Sequence, residues 1–358
     1  MFPAAAFAGM VLLASCSADE LNSGGGSTIV PPSGETVSSG TVNFTNNTSM
    51  TIGNGSITEG TTRTAWMTRG ESFDFDGNEA CKLEMPAEPT LSGDESVLTE
   101  GGVLGNVGVN SVIPEGVTYT SEKENGIYIN SDLYVKGTLN LNTYVFEYSY
   151  SGNPNPIGRI IICKGGTLNI NDLKNHAIED VQILNYGGTV TVNCDLTIDP
   201  DAEFATTESL DMQDNSLTVS GGKLYVGKNL KCGSITSETG GTLIHVLGAV
   251  STSDNVTIDG DIDMCVEGAM TVRKNNAPSV QISNTANVHI DCKLEVIDEK
   301  VNSNEALVNV TDGATLCVSY LVSRRLNVSG GEYGRVTNIY LPNQGVIDVY
   351  SLAVGTST

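Results

Sequence analysis

The sequence predicts an all-β protein, a right-handed parallel β-helix with a small N-terminal β cap. The main observation is a repeat in which a glycine and one variable residue precede an apolar–polar–apolar triplet, from residue 137 to the end of the chain. The second is the composition, because 40 glycines, 6% aromatic residues and frequent Thr, Val, Ser and Asn favour strands and tight turns. A short strand cannot bury its apolar side alone, so successive units must stack around one shared core.

The repeat units place the predicted β-helix at residues 103–358. They begin at Gly137, Gly166, Gly188, Gly222, Gly268 and Gly345, with degenerate copies at Ala286 and Ala314. About ten turns fit this length, which predicts a body roughly 45–50 Å long at ~4.8 Å per turn. The right hand follows from the strong preference of crossovers between parallel strands for that hand.

Residues 1–15 are predicted to be a signal peptide. They carry no charged side chain, and an apolar run over residues 4–14 leads to Leu13-Ala14-Ser15-Cys16. That run is too short to span a bilayer, and Pro3 disfavours the alternative of a packed N-terminal helix. The pattern resembles a bacterial lipoprotein signal, which implies cleavage before a lipidated Cys16. It departs from such signals in having no Lys or Arg before the apolar run, which a start codon assigned too far downstream would explain.

Residues 16–40 are expected to be the lipidated cysteine and a flexible tether. Gly/Ser-rich polar sequence of this kind cannot bury enough surface to become ordered. The segment Ser17-Ala18-Asp19-Glu20 resembles the acidic export signal of Bacteroidota surface lipoproteins. This resemblance implies a protein that is attached by lipid to the outer membrane and faces outwards.

Residues 41–102 are predicted to form the small β cap and a linker over residues 86–102. Two hairpins are indicated, one pairing residues 41–44 with 50–52 and one pairing 72–75 with 81–85. A cap is expected at the first turn of the β-helix, whose strand edges would otherwise be unpaired. The alternative is a separate binding module in which Trp66, the single tryptophan, and Phe73 stack on a sugar.

The cysteine pattern predicts buried thiols and argues against a zinc ribbon. Lipidation of Cys16 leaves seven of the eight cysteines, an odd number that requires a free thiol, and none lies in a Cys-x-x-Cys pair. Three cysteines share the alternation of their apolar neighbours and are expected in the core, whereas two have the opposite alternation and point outwards or follow a bulge. The first set is Cys194, Cys232 and Cys292, and the second is Cys265 and Cys317. Neighbouring turns are close enough for disulfides, and the spacing leaves their pairing open.

The net charge of -24, from 42 acidic and 18 basic side chains, opposes binding to nucleic acid or to anionic lipid. We therefore expect no nucleic-acid partner. The acidity is typical of a soluble extracellular body, with cation binding as the alternative.

Two sets of residues are candidate binding sites. If Ile262 faces inwards, the carboxylates of Asp259, Asp261 and Asp263 lie ~7 Å apart on one outer face. Such a row could bind calcium, which is the only cofactor that the sequence suggests. The alternative is a solvated acidic face. A second set could stack on a ligand, or could simply continue one side of a strand that includes Phe146. These residues are Tyr144, Tyr148 and Tyr150, with Trp66 as a further candidate.

No residue of the sequence can be assigned a catalytic role. The sequence favours a non-enzymatic protein and does not exclude an enzyme. Many right-handed β-helices are pectin lyases or polygalacturonases, and those enzymes carry adjacent aspartates with His-Gly and Arg-x-Lys elements. This chain has no Asp-Asp pair, and its three histidines, His176, His245 and His289, are scattered. The Ser-His-Asp and His-Glu-x-x-His patterns are also missing from the sequence.

Together, the lipobox, the acidic export patch and the glycine-led repeats resemble the surface β-helix lipoproteins and adhesin-like proteins of Bacteroidota. The resemblance implies a lipid-anchored adhesin that binds glycan or a surface protein. A polysaccharide lyase or glycoside hydrolase is the first alternative. The second is a structural stalk of a longer surface protein, since the chain ends four residues after a full repeat unit; that end could also pair with another subunit.

Overall fold

The computed structural model describes residues 36–44, 48–58, 64–69, 77–122, 124–146, 158–300, 305–330, 335, 337–341 and 346–354. For the strands before residue 77, only the backbone is described. The predicted signal peptide, Cys16, Phe73, Tyr148 and Tyr150 lie outside the described residues.

The all-β prediction is confirmed: parallel strands stack as a β-solenoid of about ten turns, and the one helical element of the described residues is a 3-10 turn over Ala80–Lys82. Each complete turn has three strands, one on each of three faces. Pairing joins strands of the same face in consecutive turns, except on face 2 between Thr189–Val192 and Leu210–Asp211, where one sheet ends and another begins. The right hand stays a prediction.

Face 1 begins with Ser96–Val97, the first strand of the solenoid. Its strands are Ser96–Val97, Ser111–Ile113, Asp132–Val135, Gly158–Ile162, Val181–Asn185, Glu203–Thr206, Lys223–Val226, Thr242–Val246, Ile262–Val266, the first part of Asn287–Asp298, the first part of Thr315–Val328, and Thr337–Leu341.

Face 2 follows face 1 in every turn. Its strands are Gly102–Val103, Thr118–Ser121, Thr138–Leu141, Thr167–Ile170, Thr189–Val192, Leu210–Asp211, Leu230–Cys232, Val250–Thr252, Met270–Lys274, the second part of Asn287–Asp298, the middle of Thr315–Val328, and the first part of Val346–Val354.

Face 3 completes each turn. Its strands are Ile127–Tyr128, Val145–Phe146, Ile178–Glu179, Leu196–Ile198, Leu217–Val219, Ile235–Ser237, Val256–Asp259, Ser279–Ser283, Leu307–Val310, and the last parts of Thr315–Val328 and Val346–Val354.

The core is a set of apolar columns that run along the solenoid. On face 3, for example, Val145 pairs with Ile178, Ile178 with Ile198, and Ile198 with Val219, and all four side chains are fully buried. Because strands pair in register, identical types of side chain stack on one another turn after turn. This is the stacked core that the repeat predicts.

The glycine of the repeat marks a corner between faces. Gly137, Gly166, Gly188 and Gly268 precede face 2 strands, whereas Gly222 precedes a face 1 strand. A Cβ on Gly166 would lie 2.0 Å from the carbonyl oxygen of Val135 in the preceding turn, so only glycine fits there. The repeat is irregular in spacing because it marks two different corners.

A strap, residues 78–90, runs along the outside of face 1. Asn78 donates from Nδ2 to the carbonyl oxygens of Met264 (3.1 Å) and Asn287 (2.9 Å), which lie in consecutive turns. Next along the strap, Cys81 forms a disulfide with Cys265, with the two Cα atoms 5.2 Å apart.

Further along the strap, the contacts move progressively towards the first turn. His245 Nδ1 donates to the carbonyl oxygen of Leu83 at 2.7 Å. The Tyr186 hydroxyl lies 2.9 Å from the carbonyl oxygen of Pro86, and the Tyr134 hydroxyl lies 3.5 Å from that of Thr90. The strap therefore runs antiparallel to the progress of the turns.

The strap covers a column of buried side chains on the outer side of face 1. In register order the column is Tyr134, Ile161, Leu184, Ala205, Tyr225, His245 and Cys265. From Tyr134, which contacts Thr90, to His245, which contacts Leu83, there are five turn spacings, or ~24 Å at ~4.8 Å each, and the seven steps from residue 83 to residue 90 span ~23 Å at ~3.3 Å each. The strap is therefore fully extended after the 3-10 turn over Ala80–Lys82, and Leu83 and Met85 pack on Leu184, Ala205 and Tyr225.

The N-terminal strands Thr36–Phe44, Thr48–Thr58 and Thr64–Arg69 form an antiparallel meander, and the predicted hairpin of residues 41–44 with 50–52 is confirmed. We expected this unit at the first turn, but it pairs with the last turns instead. Thr48 to Ile52 lie parallel to Thr337–Leu341, and the third strand lies antiparallel to Val346–Val354. The strap explains the difference, because it returns the chain to the first turn.

Two further expectations for this region are wrong. Residues 81–85 do not form a strand, because the strap has a 3-10 turn over residues 80–82 and no strand pairing over residues 83–85. The linker ends earlier than residue 102, since the first solenoid strand, Ser96–Val97, already pairs with Ser111–Ile113.

The cysteines follow their predicted alternation inside strands and depart from it at corners. Cys265 points outwards and Cys232 lies in the core, as predicted. Cys194 and Cys292 are only half-buried, because each sits at a corner where alternation restarts. Cys194 still packs against the core, as predicted, whereas the prediction of a core position is wrong for Cys292. The free thiols of the described residues are Cys163, Cys194, Cys232 and Cys317.

Candidate functional site

The three predicted calcium ligands do not form one row. Gly260, with φ of 128°, makes a corner that leaves Asp259 at the end of a face 3 strand and Asp263 on face 1. Asp259 accepts hydrogen bonds from Ser283 Oγ and Asn284 Nδ2, both at 2.7 Å. The prediction of one row is therefore wrong, because the alternation was extended across a corner.

Asp263 is engaged with the strap. Its Oδ2 accepts a hydrogen bond from the backbone N–H of Glu79 at 2.7 Å, and burial raises the pKa of its carboxyl. No group of three His, Cys, Asp or Glu side chains within the described ranges is arranged to hold a metal ion. Calcium binding stays a prediction.

The structure does not bring the two aromatic candidates together. Trp66 lies on a strand whose backbone pairs with Ile347 in the last turns, whereas Tyr144 precedes the face 3 strand Val145–Phe146 near the start of the solenoid. Of the predicted ligand-binding residues, Tyr144 is the one whose side-chain contacts are described.

Tyr144 belongs to an aromatic patch on face 3, which comprises Tyr128, Tyr144, Phe146 and His176. Its ring stacks on His176 with centroids 4.0 Å apart and on Phe146 at 5.5 Å. Phe146 also meets Tyr128 of the preceding turn edge-to-face at 6.3 Å. His176 is exposed and the other three rings are half-buried, so the patch presents aromatic surface to solvent.

The inward and outward alternation of the strand creates this patch. Val145 is fully buried in the core, which turns Tyr144 and Phe146 outwards, as the common parity in the sequence indicates. Tyr128 and Phe146 occupy the same position in consecutive turns. Tyr128 and His176 could not be assigned to the patch from the sequence, because their proximity depends on the register between turns.

A row of amides lies at the corner next to the patch. Asn171 Nδ2 donates to Asn142 Oδ1 at 3.0 Å, and Asn193 Nδ2 donates to Asn171 Oδ1 at 2.8 Å. We call this row the asparagine ladder; Asn142 precedes Tyr144 by two residues. The ladder was not predicted, although its signal in the sequence is the pair of Asn-Leu-Asn and Asn-Ile-Asn segments within two repeat units.

Face 1 carries a charged column beside the strap. Arg159 donates to both carboxylate oxygens of Asp132 at 2.7 Å, and Gln182 Nε2 donates to Glu203 Oε2 at 2.7 Å. Burial raises the pKa of Glu203, although the positive charge of Lys223 in the next turn acts in the opposite direction.

This column does not place two carboxylates at catalytic spacing. In register order it runs Asp132, Arg159, Gln182, Glu203, Lys223, Leu243, Asp263. Glu203 is three turns from either aspartate, about 14 Å at ~4.8 Å per turn. Glycosidase carboxylates are about 5 to 9.5 Å apart. The column therefore fits a structural role better than acid–base catalysis.

The chain matches no protein-family model, and neither a curated protein sequence nor a solved structure is significantly similar to it. Within the described part of the chain, no helix has the length and apolar character to cross a membrane.

Proposed function

We propose that the protein is a non-enzymatic cell-surface adhesin that binds glycan through the aromatic patch and the asparagine ladder. The β-solenoid fold in general supports a surface, structural, carbohydrate-binding or carbohydrate-active protein. The observation that carries the proposal is the contact of Tyr128, Phe146 and His176 with one another or with Tyr144, which packs on the core, beside an ordered row of amides. Aromatic residues make up only 6% of this chain.

The chemistry of the patch suits a sugar. A sugar ring has an apolar face that can pack on an aromatic ring, and it has hydroxyl groups at its rim that pair with amide donors and acceptors. One face of Tyr144 is covered by His176, so Tyr144 supports the patch. Exposed His176 and half-buried Phe146 are the rings that we assign to contact with the ligand.

The cellular setting of the proposal is supported by the sequence. Residues 13–20 combine a lipoprotein-like cleavage motif with an acidic export patch, and we propose a lipid anchor on Cys16 in the outer membrane. Metabolic labelling with a palmitate analogue should mark the wild-type protein and not Cys16→Ser, whereas Cys163→Ser keeps the label. Labelling of Cys16→Ser would contradict the anchor.

Binding to immobilised pectins, mucins and host glycans tests the glycan proposal. Phe146→Ser removes a ring and should weaken binding roughly two- to tenfold, as expected for a loss of ~0.5–1.5 kcal/mol of stacking. The matched control, Phe146→Tyr, keeps a ring and should retain most of the affinity. His176→Ala and His176→Phe form a second pair with the same logic.

Two outcomes would overturn the proposal. If a glycan binds and the double variant Phe146→Ser/His176→Ala binds it as well as wild type does, the patch is not the site. If the same panel shows release of shortened sugars, the enzyme alternative replaces the adhesin. A stalk of a longer surface protein would bind none of the panel.

A further inference from the structure

Face 2 carries an ordered array of short, neutral polar side chains, which we call the polar array. Its members line the outer side of consecutive face 2 strands and continue into the asparagine ladder. Row by row they are Thr118 and Thr120; Thr138, Asn140 and Asn142; Thr167, Asn169 and Asn171; and Thr189, Thr191 and Asn193.

The array is held in place before any ligand binds. Asn169 Nδ2 donates to Asn140 Oδ1 at 2.8 Å, and Asn140 Nδ2 donates to Thr120 Oγ1 at 3.3 Å. An amide has two N–H donors and an oxygen with two lone pairs, so a ladder that uses one of each leaves hydrogen-bonding capacity. Side chains that are already ordered lose little entropy on binding.

The array is neutral although the protein is strongly acidic. None of its eleven Thr and Asn side chains carries a charge, whereas the whole chain has a net charge of -24. A carboxylate, that of exposed Glu122, follows Thr120 in the first row at the position where the next three rows have asparagine. An acidic polymer would be repelled by the surrounding potential, and the array offers it no cation as a partner. A neutral ligand with many hydroxyl groups avoids that repulsion and matches the donors and acceptors present.

The columns of the array run along the solenoid, with one position per turn at a spacing of ~4.8 Å. A linear polysaccharide presents the same hydroxyl groups at a regular interval, and an extended chain parallel to the axis would meet successive rows in the same way. We infer that the polar array extends the aromatic patch into a site for a neutral, extended, linear glycan that lies parallel to the solenoid axis. This inference rests on the proposed glycan-binding function.

Calorimetric titration with oligosaccharides of increasing length tests the inference. The probes are neutral cello-, xylo- and manno-oligosaccharides and acidic oligogalacturonides. We expect the affinity for a neutral series to rise with length until the chain covers all four rows, about 14 Å at ~4.8 Å per row. Acidic oligomers of equal length should bind at least tenfold more weakly. Tighter binding of acidic oligomers would overturn the inference.

A charge placed in the array separates this inference from the proposed function. Thr167→Asp should weaken binding of a neutral hexasaccharide from the best-binding series at least tenfold. The control, Thr257→Asp, changes another half-buried strand threonine, on face 3, and should leave that affinity unchanged. Asn171→Ala, which breaks the ladder, should also weaken binding. Circular dichroism and thermal melting check that each variant is folded.

The outcomes are distinct. If Phe146→Ser abolishes binding and Thr167→Asp does not, the patch binds alone and the inference fails while the proposed function stands. If Asn171→Ala lowers the melting temperature without changing affinity, the ladder only stabilises the stack, and the inference again fails. If the protein binds none of the glycans, both the inference about the polar array and the proposed glycan-binding function are wrong.

Discussion

The disulfide between Cys81 and Cys265 is the covalent attachment of the strap, and its removal tests how the strap stabilises the protein. The two cysteines are 184 residues apart, so the bond closes a loop that includes most of the solenoid. The loop-entropy relation gives about 5 kcal/mol at 25 °C for a loop of that length, as an upper limit. This stabilisation arises because the cross-link restricts the unfolded chain.

The folded state should survive removal of the bond. The strap keeps its hydrogen bonds from His245 to Leu83 and from Tyr186 to Pro86, each contributing about 1 kcal/mol. We therefore expect the Cys81→Ser/Cys265→Ser variant to fold and to lose about 2–4 kcal/mol of unfolding free energy, the usual range for a native disulfide.

Equilibrium unfolding in urea measures the loss, with circular dichroism as the signal. Cys163→Ser, which changes a free and half-buried thiol, is the matched control and should stay within about 0.5 kcal/mol of wild type. Reductant should lower the midpoint of the wild type by more than that of the double variant, which lacks the bond between Cys81 and Cys265. A loss below about 0.5 kcal/mol in the double variant, or an equal loss in the control, would contradict stabilisation by the cross-link.

Three other perturbations have defined outcomes. Gly166→Ala should cost about 3 kcal/mol or more because its Cβ meets a backbone oxygen, whereas Gly165→Ala, with φ of 86° and open space, should cost about 1 kcal/mol in the same urea assay. Burial raises the pKa of Glu203, so the folded state binds the proton more tightly and stability falls as the pH rises through the usual value of 4.5. The Glu203→Gln variant should lack this loss of stability with rising pH. Its melting temperature should therefore lie above that of wild type at pH 7, and the difference between the two melting temperatures should shrink below pH ~4. Burial also raises the pKa of Tyr186 to about 12, so Tyr186→Phe should remove a late-titrating tyrosine from the ultraviolet titration; an unchanged curve would contradict its burial under the strap.

The strands of the solenoid could be predicted because their signal is local. Thr-Leu-Asn-Leu and Thr-Leu-Asn-Ile each alternate with the period of two of a half-buried strand, and Leu139 and Leu168 are fully buried in register. The corners could not be predicted in this way, because a change of face restarts the alternation. The predictions for Cys292 and Asp259 were both wrong for that reason.

The strap and the aromatic patch depend on contacts between distant parts of the chain. Nothing in the spacing of Cys81 and Cys265 indicates that they meet, and the outward parity of Cys265 was the single local signal. Tyr144 could be selected from its strand, whereas its partner His176 could be found only once the register between turns was known. Local periodicity therefore predicts the solenoid and does not predict what lies on its surface.

Face 1 nevertheless carries a sign in the sequence that it is covered. The strand Gly158–Ile162 ends in three consecutive fully buried isoleucines, and Val181–Asn185 and Thr242–Val246 also end in three buried residues, whereas Thr138–Leu141 on face 2 alternates. A strand that is apolar on both sides is typical of a sheet that is covered on both sides. Since the strap covers much of face 1, the outward side chains of faces 2 and 3 are the better candidates for contact with a partner among the described residues. The polar array and the aromatic patch lie on those two faces and meet at the corner between them, which is where a ligand would contact both.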